Sequence, residues 1–150
     1  MIKGVSVKQL KMLPDERGRL MEIFRVSDNN IQPQQVYMTT AFEGVVKDKH
    51  AFHMHNKQTD NMCCIQGKIK LVIVDTREES PTRGEINEFE IGEDNYAIVT
   101  IPNKVLHAFK SLKGESIIIN CINQEYNHSD PDEIRVENKY YDWDNNKSLV

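Results

Sequence analysis

Short apolar runs, some alternating with polar residues and some unbroken, recur along the whole chain between clusters of Gly, Pro, Asn, Asp and Ser. A period of two, and short apolar runs bounded by turn residues, are strand signatures. The pattern predicts strands over residues 5–13, 20–25, 34–42, 62–66, 68–75, 86–91, 97–101, 106–111 and 117–122. The segments 14–18, 27–30, 80–84, 92–95 and 113–114 supply residues suited to turns. Residues 71–74 and 117–119 are apolar at every position, which predicts a sheet covered on both sides. In 86–91, Glu88 and Glu90 fall opposite Phe89 and Ile91, which predicts one wet face. No stretch carries a helical period of three turns, and only the tail 137–150, with Tyr140, Tyr141 and Trp143, has room for a terminal helix or arm. The expectation is all-β: one sandwich or closed barrel spanning residues 1–150.

Composition narrows the class. With 150 residues, 39% hydrophobic and 28% charged, the chain reads as one ordinary globule with a real core. No apolar run reaches membrane-spanning length and the first residues read as no secretory signal, so no membrane partner and a cytoplasmic location are expected. Three cysteines, two of them adjacent at Cys63 and Cys64 in an apolar run, fit buried reduced thiols in that compartment. A formal charge of −4 offers no field to hold a nucleic-acid backbone, though a few arginines could still hold one small anion.

Candidate chemistry concentrates in two segments, residues 44–55 and 101–109, which carry four of the five histidines: His50, His53, His55 and His107. Clustered imidazoles serve proton transfer near neutral pH or metal ligation. On a strand, His53 and His55 share a face and can both look into a barrel. The spacing His53-x-His55-x4-Asp60-x6-Gly67, with Pro102-x-Lys104-x2-His107 as a second segment, resembles the two metal motifs of the cupin superfamily, with Asp60 where a glutamate is usual and Lys104 where a glycine is usual. His53, His55, Asp60 and His107 would then suit one divalent transition metal. The other reading makes them polar residues lining a cavity, and both stay open.

A wider resemblance covers most of the chain. Residues 15–24, beginning Asp15-Glu16-Arg17-Gly18, resemble the N-terminal signature of the dTDP-4-dehydrorhamnose 3,5-epimerase family. Residues 44–50 are similar to its GVLRGLH segment, 74–84 to its VDxRxxSPTxG, 101–109 to its IPxGxxHGF and 126–133 to its YxPexE, all in the family's order. The resemblance implies a cupin-type jelly roll, a homodimer with exchanged N-terminal strands, and action on a 4-keto-6-deoxyhexose carried on a nucleoside diphosphate, without a cofactor. By it His50 stands at the general base, Tyr126 at the acid that returns the proton, and His107 at the second pocket histidine. Arg17 and Glu22 lie where the nucleotide is contacted across the dimer, and Lys47, Lys49, His53 and His55 are further substrate-binding candidates.

The chemistry needs such residues. A hydrogen beside a ketone becomes removable when the enolate oxygen is stabilised, and an imidazole takes it near neutral pH. Inversion then requires a proton delivered to the opposite face. Three positions depart from the family pattern. RGLH becomes Lys47-Asp48-Lys49-His50, keeping a cation without arginine's fork. Asp60 replaces the lysine that stabilises the enolate, leaving Lys47, Lys49, Lys57 or a metal to do so. The aspartate that orients the base lies in a longer tail, leaving Asp142 or Asp144 as substitutes. The implied function is epimerisation of such a sugar at C3, and also at C5 if both centres react. Two alternatives are another cupin isomerase, metal-dependent or a sugar ketoisomerase, and a non-catalytic sugar-nucleotide binder.

Overall fold

The computed structural model describes residues 1–29 and 32–150. It is almost wholly β, a nine-stranded antiparallel sheet curled on itself into a cupin-type jelly roll. Two long strands form its spine: β7, Asp60–Val74, and β10, Leu106–Ile122. Around them lie β1, Ser6–Gln9; β4, Gln35–Ala41; β5, Val46–Lys47; β6, Ala51–His55; β8, Ile86–Gly92; β9, Ala97–Ile101; and β11, Glu133–Glu137. The sheet order is β1-β9-β7-β10-β6-β11, with β8 on β7 and both β4 and β5 on β10. Strands β2, Met12–Asp15, and β3, Gly18–Met21, form a separate hairpin.

Each spine strand joins two segments that sequence pattern separates, and the junction shapes the molecule. Between Ser111 and Ile117 the β10–β7 register shifts, so residues 113–114 make a bulge rather than a hairpin turn. Gly67 faces that bulge with φ +70°, and a Cβ there would lie 2.7 Å from the Lys113 carbonyl oxygen. A residue with a side chain would be strained in backbone and clash with backbone at once. Ser116 Oγ donates to the Lys68 carbonyl at 3.1 Å and meets Ser111 Oγ at 2.7 Å, fixing the kink. A bulge bends its strand and resets which residues face inward. Met62 and Cys64 before it, and Ile69, Leu71 and Ile73 after it, therefore share one core with Val99, Ile101, Phe109 and Ile118.

The outer face of one half carries a second core, in which Phe52, Val72, Val74, Leu106 and Ala108 are covered by Tyr141 and Trp143. Residues 71–74 are thus buried from both sides, as their pattern predicts, and Glu88 and Glu90 are exposed. The tail forms no helix: β12, Tyr141–Asp142, pairs with β13, Lys147–Ser148, and its aromatics close the outer core. The expected strand 5–13 splits because β1 pairs with β9 whereas β2 leaves the sheet for β3. The expected strand 20–25 ends at Met21. Of the turn expected at 27–30, the first residues belong to a four-residue helix, Val26–Asn29, and Asn30 lies outside the described residues. Cys63, Cys64 and Cys121 are buried free thiols. Among the described residues no helix is long and apolar enough to cross a membrane.

The 74–84 motif is a structural lock. The buried Asp75 carboxylate accepts from Arg77 Nε at 2.8 Å, from Ser80 Oγ at 2.5 Å and from Thr82 Oγ1 at 2.6 Å. Burial opposes its ionisation, but these donors outweigh burial and hold its carboxyl well below the ordinary range.

Candidate active site

Strand alternation sorts β6 into two faces. Phe52 and Met54 pack into the outer core, which turns His53 and His55 inward. His107 on β10 lies directly across from His53, and their ring centroids are 4.4 Å apart. His55 stands 6.1 Å from His53 and 5.9 Å from His107, ring to ring. Asp60 opens β7 beneath them, with Oδ2 3.7 Å from both His55 Nε2 and His107 Nε2.

The three imidazoles differ in how far their nitrogens are committed. His55 Nδ1 lies 2.9 Å from the Asp132 carbonyl oxygen, to which it can only donate, and Gln58 Nε2 stands 3.2 Å from its Nε2. His107 Nδ1 points at the Val105 carbonyl at 3.2 Å, leaving Nε2 toward Asp60. Among the described residues His53 Nδ1 has no hydrogen-bond partner, and it stands 4.0 Å from Asp48 Oδ2. Its side chain is also the most open, 20% exposed against 11% for His55 and 3% for His107. Burial, then repulsion from a protonated His107, pushes the His53 pKa down to about 3. Burial, then His55, pushes His107 down to about 4. Both are neutral at neutral pH, so each can accept a proton or bind a metal.

Asp60 Oδ1 accepts from Gln58 Nε2 and from Asn120 Nδ2, each at 2.8 Å. Asn120 Nδ2 also donates to the Tyr37 hydroxyl at 2.8 Å. Beside His55 opens a cavity of about 500 Å³, with Tyr37, Lys57, Gln58, Tyr126 and Glu133 on its wall. The Asp132 carboxylate accepts from the backbone N–H groups of Asn56, Lys57 and Gln58, so the loop between β6 and β7 is pinned beneath that wall.

Several expected site residues stand elsewhere. His50 is exposed, in the turn before β6, outside the imidazole group. It stands three residues before the inward-facing His53 and outside β6, because residues 48–50 form a turn rather than strand. Lys47, on β5, pairs with Phe109 of β10, Lys49 is held by Asp144 at 3.0 Å, and neither lies on the cavity wall. Asp142 accepts from the N–H groups of Asp144 and Asn145, and Asp48 is the carboxylate beside His53 instead. Arg17 and Glu22 sit on or beside the β2–β3 hairpin, bound to Asp15 and Arg25 and remote from the wall. Tyr126 is on the wall, half exposed, with His128 edge-on to its ring. Of the four candidate metal ligands, His55, Asp60 and His107 converge, their ligand atoms all within 4.8 Å of one another. Asp48, Gln58, Asn120 and Tyr37 were not singled out by sequence. Gln58 and Asp60 stand two apart within the His53-to-Asp60 motif, which was the available signal; Tyr37 and Asn120 come together only through the β4–β10 pairing.

The sequence profile of the dTDP-4-dehydrorhamnose 3,5-epimerase family matches residues 1–148. A probable low-salt glycan biosynthesis epimerase of Haloferax volcanii is 39% identical over 139 residues, covering 90% of this chain and 87% of that protein. The spore coat polysaccharide biosynthesis protein SpsL of Bacillus subtilis is 37% identical over 139 residues, covering 91% and 89%. The crystal structure of a dTDP sugar isomerase from Desulfovibrio desulfuricans superposes with a TM-score of 0.87 at 22% identity, over 99% of this chain and 96% of that one, a likeness of fold.

Proposed function

The chain belongs to the dTDP-4-dehydrorhamnose 3,5-epimerase family and is a nucleotide-sugar epimerase, and we propose that it inverts C3 of a nucleoside-diphosphate 4-keto-6-deoxyhexose with His53 as the base. The observation that carries this reading is the neutral imidazole of His53, its Nδ1 toward Asp48, 6.1 Å ring to ring from His55, which lines a cavity walled by two phenols. His53 takes the C3 proton, the C–H electron pair moves into the enolate, and Asp48 steadies the imidazolium that forms. A pKa near 3 suits the resting state, keeping the ring free to accept. The anionic sugar nucleotide and the developing enolate raise its basicity once substrate is bound. Tyr126, across the cavity, returns a proton to the opposite face. His107, too buried to reach a sugar, positions Asp60 and His55. The names of two relatives, a glycan biosynthesis epimerase and a spore coat polysaccharide biosynthesis protein, support a product used in glycan or surface-polysaccharide synthesis.

The reaction is read as needing no cofactor, since Gln58 already engages both His55 and Asp60. A second reading has one observation behind it: His55, Asp60 and His107 could hold a divalent transition metal, which would polarise the ketone. Stoichiometric metal in the purified protein, with exchange lost on chelation and restored by that metal, decides for the second reading.

The assembly is read as a homodimer. The cavity wall carries Glu125, Asp130, Asp132 and Glu133 against Lys57, an acidic balance for a diphosphate ligand. The β2–β3 hairpin stands off its own sheet with Leu13 and Leu20 exposed, and β4, paired among the described strands only with β10, exposes Val36 and Met38. A second copy's hairpin laid along β4 covers both and brings Arg17 toward the diphosphate. The buried free thiols fit a cytoplasmic enzyme.

Solvent deuterium tests the function. With 4-keto-6-deoxy sugar nucleotides in deuterium oxide, label is expected at C3. His53→Asn is expected to lower exchange at least about 100-fold while nucleotide binding persists. No label at C3 in the wild type, or exchange at wild-type rate in the variant, overturns the reading.

A further inference from the structure

By the family resemblance Asp60 stands where an enolate-stabilising cation is expected, and an enolate oxygen in this cavity needs a donor. Lys47 and Lys49 do not reach the wall, whereas Lys57 does. The hydrogen-bond chain behind the cavity supplies a second donor, one fixed in place by its partners. Asn120 Oδ1 accepts the backbone N–H of Asn61 at 2.9 Å, which fixes the orientation of the amide and turns Nδ2 the other way. Nδ2 can only donate, and its two hydrogens go to Asp60 Oδ1 and to the Tyr37 hydroxyl, both at 2.8 Å. Tyr37 is therefore the acceptor in that bond, and its own O–H must point elsewhere. Tyr37 lines the cavity beside His55, and no described protein group accepts from its hydroxyl.

Resting on the epimerase reading, we infer that Tyr37 is a further catalytic residue, whose O–H donates a hydrogen bond to the C4 ketone oxygen of the bound sugar and stabilises the enolate. The step balances without a co-reactant. His53 removes the C3 proton, the C3–H electron pair becomes the C3–C4 double bond, and the carbonyl π pair moves onto O4. Tyr37 holds O4 by hydrogen bond and transfers nothing, and the pairs return when C3 is reprotonated. The surroundings keep this phenol a donor: burial, then the charge of Asp60, pushes its pKa up to about 12. Asn120 ties Tyr37 and Asp60 to one amide, so the donor is set in place before substrate arrives, as preorganised stabilisation requires.

The test measures C3 exchange, C3 inversion and nucleotide affinity in wild type and Tyr37→Phe. Loss of one oxyanion donor is expected to lower exchange about 100-fold or more, with inversion falling in parallel, because the enolate precedes both. The loss should appear in kcat, with nucleoside-diphosphate affinity within about twofold of wild type, as for an interaction made mainly in the transition state. Exchange at the wild-type rate overturns the assignment. So does exchange retained with inversion lost, which would make Tyr37 the proton donor. A wild type that exchanges nothing at C3 sinks the epimerase reading and this assignment with it, whereas a failure confined to the variant comparison sinks only the assignment. Should Tyr37→Phe not fold, a crystal structure of the unmodified protein with a nucleoside-diphosphate 6-deoxyhexose decides: Tyr37 Oη within hydrogen-bond reach of sugar O4 supports it, and any greater separation overturns it.

Discussion

The two faces of β6 separate stability from chemistry along five residues of one strand. Phe52 and Met54 look outward into an aromatic core, where Phe52 stacks on Trp143 and meets Tyr140 edge-on, both at 6.0 Å. His53 and His55 look inward, where packing is replaced by a polar network around Asp60. The outward face is apolar, with Phe52 wholly buried and Met54 partly so, and its residues contribute by burial. The inward face holds His53, whose charging burial disfavours and which retains capacity for proton transfer, beside His55, whose ring is tied to the Asp132 carbonyl. A strand with a side-chain period of two can serve both ends because a substitution on one face leaves the other face's environment almost unchanged.

The sharpest way to break this division is Phe52→Ala. Phe52 is wholly buried, and removing a buried phenyl ring costs about 3–5 kcal/mol. The expected result is a large fall in the urea midpoint with C3 exchange per folded molecule retained. If exchange instead collapses while the fold persists, the outer core positions the histidines and the two faces are coupled.

A pH series probes the inward face. The folded pKa values of His53 and His107 are about 3 and about 4, below the roughly 6.5 of an unfolded histidine. Between those values the unfolded chain binds protons that the folded chain does not, so stability is full above about pH 6.5 and declines as pH falls toward 4. Each imidazole can contribute a slope of at most about 1.4 kcal/mol per pH unit. Melting curves from pH 8 to pH 5 should show the decline, and the double variant His53→Gln, His107→Gln should flatten it. An unchanged slope in that variant would assign the acid sensitivity to other groups.

The same contrast explains what the sequence disclosed. Strands β4, β8 and β9 follow alternation or unbroken apolar runs and were legible to within a residue or two. The continuity of β7 and β10 was not, because Gly67 and Gly114, ordinarily turn residues, serve here in a paired kink whose partner lies across the sheet. Strand β11 alternates as Glu133, Ile134, Arg135, Val136 and Glu137, yet three charged residues in five masked it. The convergence of His53, His55, Asp60 and His107 near one cavity followed from parity and spacing. The division of labour among them did not, because it depends on which nitrogen faces which carbonyl, and that is set by Val105 and Asp132 rather than by the histidines themselves.

His50 and His53 give the finest version of the comparison: two histidines three residues apart, one in a turn and one on the strand. The segment 44–50 shares Gly44, Val45 and His50 with GVLRGLH, and that likeness points to His50. Backbone geometry points elsewhere. Asp48 adopts φ +57°, and residues 48–50 form a turn, with the Ala51 N–H donating to the Asp48 carbonyl at 2.9 Å. The turn leaves the His50 ring in solvent, ahead of the strand whose alternation carries His53 inward. His50→Asn is therefore expected to change C3 exchange by no more than about twofold, the scale of a surface change away from the reacting atoms. Measured beside His53→Asn in one deuterium assay, the pair decides the base. A loss of about 100-fold in His50→Asn, with His53→Asn near wild type, would restore His50 to that role. It would also require the 48–50 turn to unwind and carry its imidazole inward when the sugar nucleotide binds.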